Sequence, residues 1–301
     1  MFIYKVTHYG PDSDEVGGWP NSWLPSAVIT QNIQFDSSNW YVENGVPVHF
    51  SSRGRDDIIL SGAYHEVNKN APVVIVVHGI KPSHKASSSP LLVSAMLLKS
   101  GFNTLRIDLQ NYGDSTHLDS FIRLGQTEYK DILGAFDWLL QYKKYHPSKV
   151  GIVGLSLGAV TSAIAFSQEP QLASVWLDSP FFDFSAMCEH ELTVRKMPLY
   201  LCRDSIRIGR LIIGINPNAI SCKEALLNHG SRPIFLTHGE NDSRIPFSHS
   251  ELFKQMGDQY QTDLDTWFIP GADHLEGMYQ YPYHYQEKLV QFFSRSLKYS
   301  G

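Results

Sequence analysis

The chain has 301 residues, 43% of them hydrophobic and 18% charged, with 22 glycines and 16 prolines, a globular balance that excludes disorder, collagen-like repeats and coiled coil. Its 25 basic and 30 acidic residues leave a formal charge of −5, far from the basic excess that binding to a phosphate backbone requires, so no nucleic-acid partner is expected. The length suits one large α/β unit as readily as two domains.

The N-terminus, Met1-Phe2-Ile3-Tyr4-Lys5-Val6, has only a brief apolar start and lacks the basic and longer apolar regions of a signal peptide. Residues 1–45 are rich in Pro, Ser, Gly and Trp and read as an irregular arm. The longest aliphatic run, Val73 to Val77, is far short of the roughly 20 residues that span a bilayer. A cytoplasmic protein without a membrane span is expected. Its oligomeric state cannot be read from the residues.

Strand-like stretches at Val46 to Phe50 and Ile58 to Leu60, bounded by turn residues, predict antiparallel strands, with Pro47 placing the first at a sheet edge. The Ser87-Ser88-Ser89 patch and its flanks read as a loop. From Val73 onward short apolar runs alternate with amphipathic stretches. Val73 to Val77, Thr104 to Leu109, Val150 to Leu155, Ser174 to Leu177, Ile234 to Thr237 and Thr266 to Ile269 are strand candidates. Apolar residues at helical spacing mark Thr127 to Tyr145, and a last helix is predicted over Tyr283 to Leu297. Strands buried on both faces and joined by helices specify a mostly parallel sheet flanked by helices, an α/β fold. Residues 181–222 break the alternation and predict a helical cap inserted over the sheet.

Cys188, Cys202 and Cys222 are widely spaced and lack Cys or His neighbours at metal-ligand spacing, so neither a disulfide framework nor a metal site is expected. They read as small buried fillers.

The sharpest motif is Gly154-Leu155-Ser156-Leu157-Gly158, preceded by an apolar strand and followed by the helical pattern Ala159 to Gln168. Small residues at 154 and 158 allow a tight strand-to-helix turn that exposes the Ser156 hydroxyl and aims the Leu157 N–H at a substrate carbonyl. The bland alternative is an ordinary strand-to-helix turn. With this motif, and with four further segments in order, the chain resembles the α/β-hydrolase family over roughly Val46 to Leu297. Val77-His78-Gly79-Ile80 looks like the family's strand-end His-Gly, and Asp108 to Ser115 like its Asp-x-Arg-x-x-Gly-x-Ser loop, with Gln110 where Arg is common. Ile234 to Pro246 resembles the acid loop, and Gly271-Ala272-Asp273-His274 the histidine loop.

The resemblance implies a triad of Ser156, Asp242 and His274, an oxyanion hole formed by the backbone N–H groups of Leu157 and Ile80, and a supporting role for His78 and Gly79. It implies no cofactor and a small-molecule ester as substrate, with residues 46–301 as the hydrolase domain. Asp178 and Asp273 remain alternative acids, and among 13 histidines His78, His84, His238, His249 and His284 are further candidates near the pocket. Phe181, Phe182, Met187, Met197, Leu199 and Tyr200 either line an acyl pocket or pack the cap. Arg195, Lys196, Arg203, Arg207 and Arg210 either bind an anionic substrate or form a solvated face. Chains with this look are esterase-like or aminopeptidase-like. A carboxylesterase leads, with an aminopeptidase using Glu189 or Glu191, a thioesterase, and an inactive ligand-binding protein on the same scaffold as rivals.

Overall fold

The computed structural model describes residues 39, 40, 42, 45–80, 83–214, 216 and 218–297. Most of the expected arm over 1–45 therefore lies outside the described residues, except that Trp40 and Val42 are buried among core side chains.

The short apolar runs become strands because each residue in them is covered on whichever face it points to. In β3 (Val73–Val77) all five residues are buried, with Val73, Ile75 and Val77 entering one hydrophobic layer and Val74 and Val76 the other, the period of two that a pleated strand imposes. β3 pairs in parallel with β4 (Asn103–Ile107) and β5 (Val150–Leu155). Further parallel pairs add β6 (Ser174–Asp178), β7 (Ile234–Gly239) and β8 (Leu264–Ile269). A hairpin of β1 (Val46–Ser52) and β2 (Arg55–His65) joins β4 antiparallel, giving an eight-stranded sheet in the order β1-β2-β4-β3-β5-β6-β7-β8. β2 is longer than the run Ile58 to Leu60 suggests. Its exposed start, Arg55-Asp56-Asp57, hides the strand from an apolar-run reading. β1 is the edge strand, where Pro47 removes no interior ladder bond.

Nine α-helices are present among the described residues. α1 (Ser88–Lys99) and α9 (Pro282–Ser296) cover one face of the sheet, and α2 (Tyr129–Gln141), α3 (Leu157–Gln168) and α7 (Ser248–Gln259) contribute to the other. Between β6 and β7 stand the helices α4 (Phe184–Val194), α5 (Leu201–Ile213) and α6 (Lys223–Leu227), the helical insertion expected there. The short α8 (Gly277–Gln280) precedes α9.

The loop expected around Ser87-Ser88-Ser89 is corrected. Ser87 holds an extended conformation at the N-cap and Ser88 and Ser89 begin α1. Every residue from Pro90 to Leu97 is buried, so the helix shows no polar stripe and no amphipathic period by which to find it.

Candidate active site

Ser156 sits between the end of β5 and the start of α3 with φ 56° and ψ −120°, a backbone region costly for a residue with a side chain and kept only where the surroundings enforce it. They do so here through the Ser156 N–H, which donates to the Asp178 carbonyl at 2.8 Å, and the Ser156 carbonyl, which accepts from Ala159 N–H at 2.9 Å. The turn also needs a bare backbone at 158. A Cβ there would lie 2.3 Å from the His78 carbonyl oxygen and 2.6 Å from that of Val77. On the far side, Gly79 lets the loop after β3 approach Ser156, because a Cβ would meet the Ser156 Cβ at 3.2 Å.

The structure brings Ser156, His274 and Asp242 together from three loops. His274 Nε2 lies 2.9 Å from Ser156 Oγ, and His274 Nδ1 lies 2.7 Å from Asp242 Oδ2. The other Asp242 oxygen accepts the N–H groups of Arg244 at 2.9 Å and Ile245 at 2.7 Å. Burial alone raises the Asp242 carboxyl, but hydrogen bonds from His238 and His274 and the Ile245 N–H outweigh it and hold the group well below the usual carboxylate range. Asp242 is therefore ionised at neutral pH, and it orients the imidazole with Nδ1 protonated and Nε2 free to accept the serine proton.

The rival acids serve other bonds. Asp178 accepts from the Tyr285 hydroxyl at 2.7 Å and the Ser179 hydroxyl at 3.0 Å, and burial pushes its carboxyl up to about 6. Asp273 accepts the Ser243 N–H and the His274 N–H, each at 2.7 Å, and the Ser243 hydroxyl at 2.9 Å. It thereby clasps the acid loop to the histidine loop. Gln110 makes other bonds too, its N–H donating to Asp131 at 2.8 Å and its side-chain amide to Thr127 at 3.1 Å.

The remaining histidines are also accounted for. His78 is fully buried, with Nδ1 2.7 Å from the Gly79 carbonyl and Nε2 accepting the Leu109 N–H at 3.2 Å. Burial lowers its pKa to about 4, so it stays neutral and pins the loop that carries Ile80. His238 has Nε2 3.0 Å from both Asp242 Oδ2 and the Ile245 carbonyl, and Nδ1 2.7 Å from the Ser250 hydroxyl. His249 accepts the Phe182 N–H at 3.2 Å, His284 meets Glu287 at 3.2 Å on the surface, and His84 closes a turn with Ser87 and Ala86. Sequence reasoning treated His238 as one histidine among several. Its place two residues before Glu240 and four before Asp242, at the end of β7, is the signal that could have singled it out.

A cleft open to solvent adjoins the serine and is lined by Ile80, Leu124, Ser156, Leu157, Phe181, Phe184, Met187, Cys188, Glu191, Arg244 and Ile245. Leu157 opens α3, so its N–H has no intrahelical acceptor. Of the pocket side chains expected from the sequence, Phe181 and Met187 are in place. Phe182 instead packs edge-on against Phe253, Met197 packs against the core, and Leu199 and Tyr200 face solvent. None of the cap's Arg and Lys residues lines the cleft, whereas Arg244 and Glu191 do. Glu191 also accepts two hydrogen bonds from Arg195.

The sheet order, the strand-to-helix turn and the three converging loops define an α/β-hydrolase. The chain belongs to the prolyl oligopeptidase family (peptidase S9), whose family model matches residues 94–300. It is 25% identical over 207 residues to protein ABHD12B of Homo sapiens, an alignment covering 66% of this chain and 53% of the relative. The chain thus spans about half the length of this relative. Among solved structures, the Pyrococcus furiosus esterase Pf2001 shares the fold with a TM-score of 0.67 and 19% identity, covering 93% of this chain and 97% of its own. The Pyrococcus horikoshii acylaminoacyl peptidase does so with a TM-score of 0.64 and 19% identity, over 86% of this chain and 43% of its own. These likenesses show that the protein shares the α/β-hydrolase fold.

Proposed function

We propose that the protein cleaves carboxylic esters through an acyl-enzyme, with Ser156 as nucleophile, His274 as general base and then acid, and Asp242 as the group that orients the imidazole and stabilises the imidazolium. The observation that carries this reading is the continuous Ser156–His274–Asp242 hydrogen-bond chain at 2.9 and 2.7 Å, with an ionised carboxylate at its end. As Oγ attacks the substrate carbonyl, His274 Nε2 takes the hydroxyl proton and then delivers it to the leaving alcohol. Water repeats the sequence on the acyl-enzyme, and the free acid leaves. Leu157 and Ile80 both line the cleft, and in this reading their backbone N–H groups serve as the oxyanion donors, each worth about 3 kcal/mol to the transition state. Phe181, Phe184, Met187 and Leu124 offer an apolar wall to the acyl chain. The three unpaired, buried thiols support a reducing, cytoplasmic setting.

Glu191 favours a second reading. A carboxylate on the cleft wall suits the ammonium of an aminoacyl substrate, and peptide bonds are within the chemistry of the same constellation. Purified protein assayed on p-nitrophenyl butyrate and on an aminoacyl-naphthylamide separates the two. Turnover of the ester, absent in Ser156→Ala, is expected. Cleavage of the amide alone overturns the ester reading in favour of the second.

A further inference from the structure

We propose that helix α5 is a docking surface for an anionic lipid bilayer. Its outward half carries two adjacent stripes. Ile208, Leu211 and Ile212, at helical spacing, are 53%, 86% and 67% exposed, and Arg203, Arg207 and Arg210 run beside them, also exposed. The turn leading into the helix continues both characters, with Val194, Leu199 and Tyr200 open to solvent next to exposed Arg195 and Lys196. From Val194 to Ile213 there are five basic residues and one acidic, Asp204, on a chain whose net charge is −5. Arg195 is tied to Glu191 and Arg207 lies 3.6 Å from Asp204. Lys196, Arg203 and Arg210 have no ion pair among the described residues.

Solvation alone does not account for this face. A helix exposed only to water carries polar residues there, and three large aliphatic side chains left open cost free energy that burial in an apolar phase recovers. The arginine stripe selects the phase. A basic amphipathic helix lying in the headgroup layer sinks its aliphatic stripe toward the acyl chains and sets its cations against lipid phosphates, and a helix of 13 residues is long enough to lie in the interface. A second copy of the chain fits less well, because a two-fold pairing through α5 sets one arginine stripe against the other. α5 packs on α4, with the Cys202 thiol 3.7 Å from the Ser185 carbonyl, and α4 supplies Met187, Cys188 and Glu191 to the cleft. A docked α5 therefore holds the cleft beside the bilayer. The docking rests on this surface chemistry and is independent of the ester reading.

The test is sedimentation of the full chain with vesicles of phosphatidylglycerol and phosphatidylcholine and with vesicles of phosphatidylcholine alone. Binding to the anionic vesicles that weakens with added salt, and that falls at least about tenfold both in Arg207→Glu/Arg210→Glu and in Leu211→Ser/Ile212→Ser, is the expected result. Thermal unfolding of each variant verifies that these exposed substitutions leave the fold intact. Failure of the native chain to bind, equal binding to both vesicle types, or binding that survives both variants overturns the proposal. So does self-association in ultracentrifugation that Leu211→Ser/Ile212→Ser abolishes in a chain that ignores vesicles, which assigns the face to a second copy.

Discussion

Asp242 can hold a histidine only because other groups hold Asp242. Its carboxylate accepts two backbone N–H groups on one oxygen and faces two imidazoles on the other, so its position and its charge are fixed before any substrate arrives. His238 is the least replaceable of these partners, being buried between Asp242, the Ile245 carbonyl and the Ser250 hydroxyl. It touches no reacting atom and acts as a positioning residue. His238→Leu is expected to lower kcat about ten- to a hundredfold with KM little changed, while His238→Gln, which retains a donor, recovers part of the loss. Steady-state kinetics on both variants checks this, and an unchanged kcat in His238→Leu removes His238 from the account.

The strand-turn-helix element around Ser156 joins local backbone strain to close packing. A side chain at 158 meets backbone rather than flexible atoms, the carbonyl oxygens of Val77 and His78, so β3 and α3 must separate to admit it. Gly158→Ala is expected to cost about 2 to 3 kcal/mol of stability, read as a lower melting temperature, together with loss of turnover. A variant as stable as the native chain contradicts the close approach of α3 to the backbone after β3. This element was legible in the sequence, because its five-residue signature is flanked by an apolar strand and a helical pattern, which favour a tight, strained turn over an ordinary one. α1 was not legible. A helix buried at every position from Pro90 to Leu97 and entered through three serines offers no polar stripe by which to find it.

At the scale of the whole molecule, a mostly parallel sheet flanked by helices follows from strands covered on both faces, and this was readable from the alternation of apolar runs, whereas the strand order was not. The cleft was less so. Leu124, Phe184, Cys188, Arg244 and Ile245 reach it from separate loops and helices, and nothing local in their sequence marks a shared destination. Of the expected lining, Leu199 and Tyr200 belong instead to the outer surface. Global stability carries a pH signature from the interior. Asp131 is fully buried beside Glu128, and burial pushes its carboxyl up to about 8, against the Gln110 N–H that it accepts. Because the folded pKa lies above the unfolded value near 4, the folded state binds the extra proton, and the contribution to stability falls as pH rises between the two values, then levels off. The melting temperature of the native chain should therefore drop relative to Asp131→Asn as pH rises from 5 to 9. The slope is at most about 1.4 kcal/mol per pH unit, and a difference independent of pH contradicts this assignment.

The central claim is that one hydroxyl at a strained turn is made nucleophilic by an imidazole backed by a carboxylate. Reaction of the folded protein with a fluorophosphonate probe, followed by mass spectrometry of its peptides, tests it most directly. A single stoichiometric adduct on Ser156, absent in Ser156→Ala and strongly slowed in His274→Ala, is the predicted result. No adduct on the folded native chain, or an adduct that persists in Ser156→Ala, contradicts it.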